Sequence, residues 1–509
     1  ALRSRQVPAR LVVYPQASHL FILDGRPSHR ADYSRRIVDW VTQHTRTKEV
    51  TMPVPTTLDH DRWQRRLAEL AGRFTVPGAA LGIAYRDQTL AVAHGVTNVD
   101  TGVEVTTDTL FQIGSMTKVW TTTVLMRLVD AGKLDLDQPV VGYLPELSLA
   151  DPEVTKRVTT RHLLNHTSGI DGDFFRDTGR GDECLERYVD ALAGLPQNHP
   201  LGGTWSYCNS GFVIAGRLVE KLTGQVWDAA LREQLYAPLG LTRTVTLPEE
   251  ALLHRTAVGH VHEGDEEPRR APVWVLPRAL GPAGLIASTV GDVLAFARMH
   301  LSGGLAPDGD RALSAESVAA MQAEEVVLPD PYTLADSWGL GWFRLGWHGA
   351  RLVGHDGNTV GQSAFLRLLP ERDLAVTLLT NGGFTRDLYE TLVREVFAEL
   401  AGVEMAHPLA PPDEPVSVDL TPYAGSYART GVRLEVFTGE RGPTLRMTST
   451  QQVAGLPDEP KELDLVPVRD GLFLVRPPGA QTWSPVTFYQ LADGTPYLHF
   501  GVRATPRVA

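Results

Sequence analysis

The run between Gly114 and Gly132 constrains this chain more than any other stretch. Apolar residues there recur at three- and four-residue intervals (Val119, Trp120, Val124, Leu125, Leu128, Val129), the period of a buried helix face, and Gly132 ends the pattern. The spacing predicts a helix that begins near Ser115. Lys118 stands three residues on, one turn up the same face, so its amine reaches back toward the Ser115 hydroxyl. A nucleophile and a base are then adjacent. The free N–H groups and the positive dipole end of the helix favour a developing oxyanion at the same place. By itself Ser-x-x-Lys recurs by chance in long chains, and a helix cap followed by a surface lysine accounts for it as readily.

A chain of 509 residues is long enough for about three domains. Its net charge of −12 is wrong for a nucleic-acid binder or for an anionic membrane surface, and no basic run with interleaved aromatics offsets it. No apolar run approaches the roughly twenty residues that cross a bilayer. The polar start Ala1-Leu2-Arg3-Ser4-Arg5-Gln6 is no secretory signal, so the cytoplasm is the expected compartment unless a leader has been removed. Cys184 and Cys208 show neither a CxxC pair nor metal-ligand spacing. No metal and no other cofactor is expected.

Taken in order, residues 1–45 hold a short strand (Ala9 to Pro15) and a helix (Asp32 to His44). The segment resembles the end of a prolyl-oligopeptidase-type α/β-hydrolase, in which the catalytic histidine falls at His19. The Gly-x-Ser-x-Gly elbow such a triad requires is absent from the sequence, so a structural or docking segment is the favoured reading over a partner that supplies a serine and an aspartate to His19. A Pro-containing linker follows over 46–58. Asp59 to Gly72 reads as an amphipathic helix, and Gly78 to Tyr85 and Leu90 to Gly95 as two strands joined by a turn at Asp87-Gln88.

Beyond the Ser115 helix, Thr159 to Ile170 combines a short helix with a turn rich in Asn, Thr, Ser and Gly whose elaborateness local chemistry does not explain. Tyr207-Cys208-Asn209 leads into an apolar helix over Phe212 to Leu222, at the end of a loop where side chains project into a cleft. Arg351 to Gly361, Ser363 to Pro370 and Leu374 to Asn381 read as successive antiparallel strands, closed by a helix over Asp387 to Gly402. After a linker at 403–414, seven short alternating runs over 415–509 are separated by Gly, Pro and Asp turns, the pattern of a small antiparallel barrel.

Five motifs occur together and in order: Ser115-Met116-Thr117-Lys118, Leu163 to Ile170, Tyr207-Cys208-Asn209, Gly284 to Thr289, and Gly354-His355-Asp356-Gly357-Asn358. Over residues 59–402 the chain resembles the serine β-lactamase-like hydrolases: class C β-lactamases, D-aminopeptidases, D-Ala-D-Ala carboxypeptidases, related esterases and penicillin-binding-protein-type cyclases. The resemblance implies an α+β fold, an antiparallel sheet flanked by helices plus an all-helical subdomain. The last part is similar to the lipocalin-like domains of some D-aminopeptidases and cyclases. Such a domain either covers the cleft and selects substrates or simply stabilises the enzyme or its oligomer.

The same resemblance implies catalytic roles for Ser115, Lys118 and Tyr207 and a substrate-binding set of Asn209, His355, Gly357 and Asn358. Ser115 is the acylated nucleophile and Lys118, neutral in a desolvated cleft, helps deprotonate it. Tyr207, with a phenol that ionises more easily than in water, passes a proton to the leaving group. Asn209 donates to the substrate and helps hold Lys118, and the N–H groups of Ser115 and Asn358 form the oxyanion hole. Cys208 is expected to pack.

Where the β-lactamases carry Lys-Thr-Gly, this chain carries His355-Asp356-Gly357. A histidine is cationic only part of the time near neutrality and Asp356 adds negative charge, which argues against carboxylate-terminated substrates and for weak or absent β-lactamase activity. The expected function is a serine hydrolase or acyltransferase acting on a small peptide or amide with a D-configured residue, or on an ester. The alternatives are a ligand-binding, penicillin-recognising pseudoenzyme and a β-lactamase or DD-carboxypeptidase. Homo-oligomerisation stays open.

Overall fold

Alternation along one strand sets the architecture. In β1 (Gly78–Tyr85), Ala79, Leu81, Ile83 and Tyr85 enter one core while Ala80 and Ala84 enter another, so this strand is buried on both faces. A computed structural model describes residues 33, 36, 57–262, 264, 266–450, 460–476 and 480–508. The chain divides into two compact units, Ala1–Val54 and Pro55–Ala509. The expected first strand and His19 lie outside the described residues, as does the expected N-terminal helix apart from Tyr33 and Arg36.

Within the second unit, α1 (His60–Arg73) is capped by Asp59, whose carboxylate accepts from the Arg62 N–H. β1 and β2 (Gln88–Gly95) form a hairpin in which Gln88 pairs with Tyr85. The turn is therefore Arg86-Asp87, one residue earlier than expected, with Arg86 at φ +55°. The other strands of the sheet are β3 (Val326–Val327), β4 (Ser337–Trp338), β5 (Phe343–Trp347), β6 (Ala350–Thr359), β7 (Gln362–Leu369) and β8 (Leu374–Thr380). They line up antiparallel in the order β2-β1-β8-β7-β6-β5-β4-β3.

Helices cover both faces. On one side, α1 and the closing helix α6 (Thr385–Ala401) bury Trp63, Leu67, Leu392 and Phe397 against β1, β7 and β8. On the other lie α2 (Thr117–Asp130), α3 (Thr160–Leu164), α4 (Asn209–Thr223) and α5 (Val290–Leu301). The small residues of β1 let α5 approach closely: an added Cβ on Gly82 would lie 3.0 Å from the Leu294 side chain. Among the described residues no helix is long and apolar enough to cross a membrane.

Among the described residues, nine strands follow after residue 424. β9 (Gly425–Arg429), β10 (Val432–Gly439), β11 (Gly442–Ser449) and β12 (Lys461–Asp464) form one antiparallel sheet. β13 (Val466–Arg469), β14 (Leu472–Val475), β15 (Ser484–Gln490), β16 (Pro496–Phe500) and β17 (Arg503–Pro506) form a second. The two meet where Tyr427 pairs with Arg507 and share a core that includes Leu445, Phe473, Val486 and Leu498. The expected single run Leu463 to Pro467 is split at the buried Leu465, where the chain crosses from one sheet to the other. β17 has no counterpart among the expected runs.

Candidate active site

Ser115 occupies a 3₁₀ turn, Gly114–Met116, that leads directly into α2. Two contacts lock this turn: the Ile113 N–H donates to the Ile286 carbonyl (2.9 Å) and the Ile286 N–H donates to Thr117 Oγ1 (3.1 Å). Gly114 adopts φ +51° with β6 directly behind it, and an added Cβ would lie 2.6 Å from the Asn358 nitrogen. A glycine is required there on both counts.

The Lys118 side chain is fully buried. Its Nζ donates to the Ala283 carbonyl (2.6 Å) and stands 3.1 Å from Ser115 Oγ. Burial, reinforced by the Arg503 charge, holds its pKa well below the ordinary lysine value. An uncharged amine beside the serine hydroxyl has a lone pair ready for its proton. The block before Gly284 thus supplies the carbonyl that orients Lys118, the role expected of Asn209. Asn209 instead opens α4, lines the cavity around Ser115, and makes no side-chain hydrogen bond among the described residues.

Tyr207 lies in an extended segment clamped from two sides. His166 holds it from within: the N–H of Cys208 donates to His166 Nδ1 (3.0 Å), the N–H of Ser206 donates to the His166 carbonyl (3.0 Å), and the imidazole stacks on the phenol ring at 4.4 Å. That is the purpose of the elaborate turn after α3, in which His166 itself sits at φ +61°. Cys208 packs and caps α4, its Sγ accepting from the Gly211 N–H (3.2 Å), and both cysteines are free thiols.

The second clamp comes from the C-terminal sheets. The Tyr207 N–H donates to the Val502 carbonyl (3.0 Å), and the Ala504 N–H donates to Ser206 Oγ (3.1 Å). Gly501 and Val502, at φ +56° and +62°, make the two-residue turn between β16 and β17, with the positive φ at both positions that a type I′ hairpin needs. This turn delivers Arg503 to the cavity. Its guanidinium lies 4.8 Å from the centroid of the Tyr207 ring and is paired with Asp173 (2.8 Å), which also binds Arg429. Burial pushes the Asp173 carboxyl up, but the two arginines outweigh it and keep it below the usual carboxylate range.

Burial raises the Tyr207 pKa, and the neighbouring Ser115 hydroxyl and Arg503 only partly offset this. The phenol is therefore protonated in the free site. The easier ionisation expected for it fails because desolvation outweighs the nearby positive charge.

His355 lies on β6 and is almost wholly buried. Burial and then the Lys118 side chain push its pKa down to about 3, so it is neutral, not partly cationic as expected. Its Nδ1 contacts the Asp356 carbonyl at 2.6 Å. A ring nitrogen facing a carbonyl must carry the proton, which leaves Nε2 as a bare acceptor, and no hydrogen-bond partner among the described residues reaches it.

Asp356 does not make the site anionic. It pairs with Arg367 (2.5 Å) and Arg386 (3.3 Å), and Arg367 is held between the rings of Phe343 and Tyr389 at 4.7 Å from each. Gly357 does not line the cavity. An added Cβ there would collide with the Ile113 carbonyl and come within 2.9 Å of the Ser115 nitrogen, so its absence lets β6 lie against the nucleophile turn. Asn358 does line the cavity, its Oδ1 accepting from Ser363 Oγ (2.8 Å).

Ser115, Tyr207, Asn209, His355 and Asn358 thus border one cavity of about 480 Å³, with Lys118 beneath Ser115. Its charged walls are Asp356, Arg386, which pairs with Asp356 and Glu390, and Arg503, which pairs with Asp173. The beta-lactamase family model matches residues 63–398. The chain belongs to the beta-lactamase family.

Penicillin-binding protein 4 of Amycolatopsis lactamdurans is 49% identical over 375 residues, covering 73% of this chain and 98% of that protein. Among solved structures, SurE shares 29% identity at a TM-score of 0.71, over 88% of this chain and 99% of SurE. A further SurE structure, 28% identical at a TM-score of 0.67 over the same shares, contains D-Leu. The D-amino acid amidase of Ochrobactrum anthropi SV3, 23% identical at a TM-score of 0.56 over 66% of this chain and 97% of the amidase, shares the fold. Membership of this family supports a serine hydrolase.

Three residues of this beta-lactamase-family site escape sequence reasoning. His166 lies inside the Leu163 to Ile170 motif, and its one local signal is a non-glycine residue where the turn adopts positive φ. Arg503 and Asp173 carried none, because they meet only through folding, 330 positions apart in sequence.

Proposed function

We propose that this protein is an acyl-transferring serine hydrolase that forms an acyl-enzyme on Ser115 with peptides, amides or esters, the favoured substrates being peptides with a D-configured residue. The observation that carries this reading is the buried Lys118, its pKa held well below the ordinary lysine value, with its Nζ 3.1 Å from Ser115 Oγ. Lys118 takes the hydroxyl proton as Oγ bonds to the acyl carbon. The N–H groups of Ser115 and Asn358 stabilise the oxyanion. Tyr207 gives its proton to the leaving nitrogen or oxygen as that bond breaks and is reprotonated from Lys118. Water or an amine then attacks the acyl-enzyme by the same route in reverse.

The arginines at the cavity wall revise the substrate expectation. His355 Nε2 is an acceptor for a substrate N–H, and Arg503 is the fixed cation suited to a carboxylate. A peptide offers both groups. The D-configured residue draws support from the SurE structure with D-Leu, and acylation by penicillin from the resemblance to a penicillin-binding protein. Turnover of nitrocefin is expected to be slow, because no lysine stands at position 355.

The test compares D-amino-acid p-nitroanilides, short-chain p-nitrophenyl esters and nitrocefin on the wild type and on Ser115→Ala, with intact-mass detection of the adduct. Equal turnover by Ser115→Ala would sink the mechanism. A wild type that binds penicillin reversibly without an adduct would establish the ligand-binding alternative.

A further inference from the structure

A second cavity, of about 540 Å³, adjoins the one around Ser115. Thr333, Leu334 and Arg386 belong to the walls of both. Its volume falls in the range that accommodates drug-sized ligands. Trp347 from β5, Phe384 just before α6, Leu409 from the connecting segment and Trp483 just before β15 supply apolar lining, while Asp387 and Glu390 of α6 add carboxylates to the wall.

Arg386 stands at the junction. One of its nitrogens is 3.3 Å from Asp356 Oδ2 on the Ser115 side, and the other is 2.9 Å from Glu390 Oε1 on the far side. Its guanidinium also lies 5.0 Å from the Tyr389 ring centroid. The C-terminal sheets wall both spaces. The 501–503 segment borders the first, and residues 482–485 border the second, where Thr482 Oγ1 donates to Asp387 Oδ1 (2.7 Å) on α6.

We propose that the second cavity is an acyl-side subsite of the Ser115 reaction, receiving apolar or aromatic side chains of a peptide two or more residues N-terminal to the carbonyl that Ser115 attacks. This inference rests on the acylation reading given above. With Arg503 given to the carboxylate of the leaving or attacking residue, the acyl side of the peptide falls to the second cavity, which shares the Thr333, Leu334 and Arg386 wall with the first. A space of this size beside the reacting centre has no use for a single-residue amide. It gives a longer chain apolar surface to bury, at about 25 cal/mol per Å² removed from water, and binding energy remote from the reacting carbonyl can raise the rate of the chemical step.

The test uses the full chain and D-amino-acid p-nitroanilides extended N-terminally by zero, one, two and three apolar residues, with adduct formation on Ser115 followed by intact mass. The expected result is a kcat/KM at least ten-fold higher with two or three added residues than with none. Ala406→Trp, which fills the cavity, lowers that long-to-short ratio about ten-fold. Trp483→Ala, which removes a wall, lowers it in the same direction and carries the test if the first variant does not fold. Ser115 adducts that form with no dependence on length, or a ratio unmoved in a folded filling variant, overturn the subsite alone. Absence of any Ser115 adduct at every length overturns the acylation reading and the subsite with it.

Discussion

The guanidinium of Arg503, on the last strand of the C-terminal sheets, lies 4.8 Å from the ring centroid of Tyr207 in the site. A part of the chain nearly 300 residues downstream therefore shapes the charge around Ser115. After burial, Arg503 is the next contributor to the depression of the Lys118 pKa, and it opposes the rise at Tyr207. Of the two roles open to the C-terminal domain from sequence, contact with the site favours the one that acts on substrate and chemistry.

Replacing this cation should separate electrostatics from packing. In Arg503→Gln the Lys118 amine loses a neighbour that disfavours its charged form, so its pKa rises. The acid limb of the kcat/KM profile on an uncharged ester should move to higher pH, while a carboxylate-bearing peptide should lose a further ten-fold or more. Asp173 keeps Arg429 as a partner, so the stability loss in urea should stay below the roughly 3–5 kcal/mol typical of a broken buried pair. An unmoved acid limb would mean that Arg503 does not tune Lys118.

His166→Ala should act on rate more than on affinity. It deletes the acceptor for the Cys208 N–H and the ring against which Tyr207 stacks, while lining none of the cavity around Ser115. A loss of about 10²-fold in kcat is expected, since small misplacement of a catalytic group costs on that order, with KM changed less than three-fold. A KM effect as large as the kcat effect would count against this positioning role.

How much of this was legible beforehand follows from what each feature depends on. The Ser115 helix, the β1–β2 hairpin and the three strands around His355 rest on local periodicity, and all stand within a few residues of their expected places. The state of the site does not rest on local pattern. Whether His355 is charged, whether Tyr207 ionises and what holds Lys118 are decided by burial and by groups from distant segments, here Ala283, Asp356 and Arg503. A histidine beside an aspartate reads as partly cationic in sequence, and becomes neutral once desolvation and Lys118 act on it. β17, with the sequence Arg-Ala-Thr-Pro, carries no alternating apolar run, unlike the equally short β14 (Leu-Phe-Leu-Val), and it is the strand that brings Arg503 in.

Lys118→Met tests the base directly. Removing the amine should lower acylation of Ser115 by 10²–10⁴-fold, the range of a general base, in a fold that readily buries an unbranched apolar side chain at this fully enclosed position. In the wild type, the acylation rate should fall with decreasing pH only as pH passes through the depressed Lys118 pKa, well below the ordinary lysine range. A wild-type rate that kept climbing to the ordinary lysine pKa near 10.4 would show the amine to be charged at neutrality. The labelling rate with a fluorescent penicillin, measured across pH on both proteins, checks each point.

The same logic of burial predicts acid sensitivity of the fold. His300 is enclosed between Phe296 and Trp342, and burial takes its pKa down to about 3. In the unfolded chain it binds a proton below about 6.5. Between those values the unfolded state holds a proton that the folded state refuses, so stability falls as pH decreases from about 6.5 toward 3 and is unaffected by this group above that window. One such histidine contributes a slope of up to about 1.4 kcal/mol per pH unit. His355 and His499, each also near 3, and His199, near 4, add to it. His300→Phe keeps the ring and removes the proton site, at the loss of the Thr123 contact at 3.3 Å. Urea unfolding of both proteins at pH 7.5 and at pH 5 should show the wild type losing more stability than the variant across that interval, by about 1–2 kcal/mol. Equal losses would mean that His300 already takes up a proton in the folded protein.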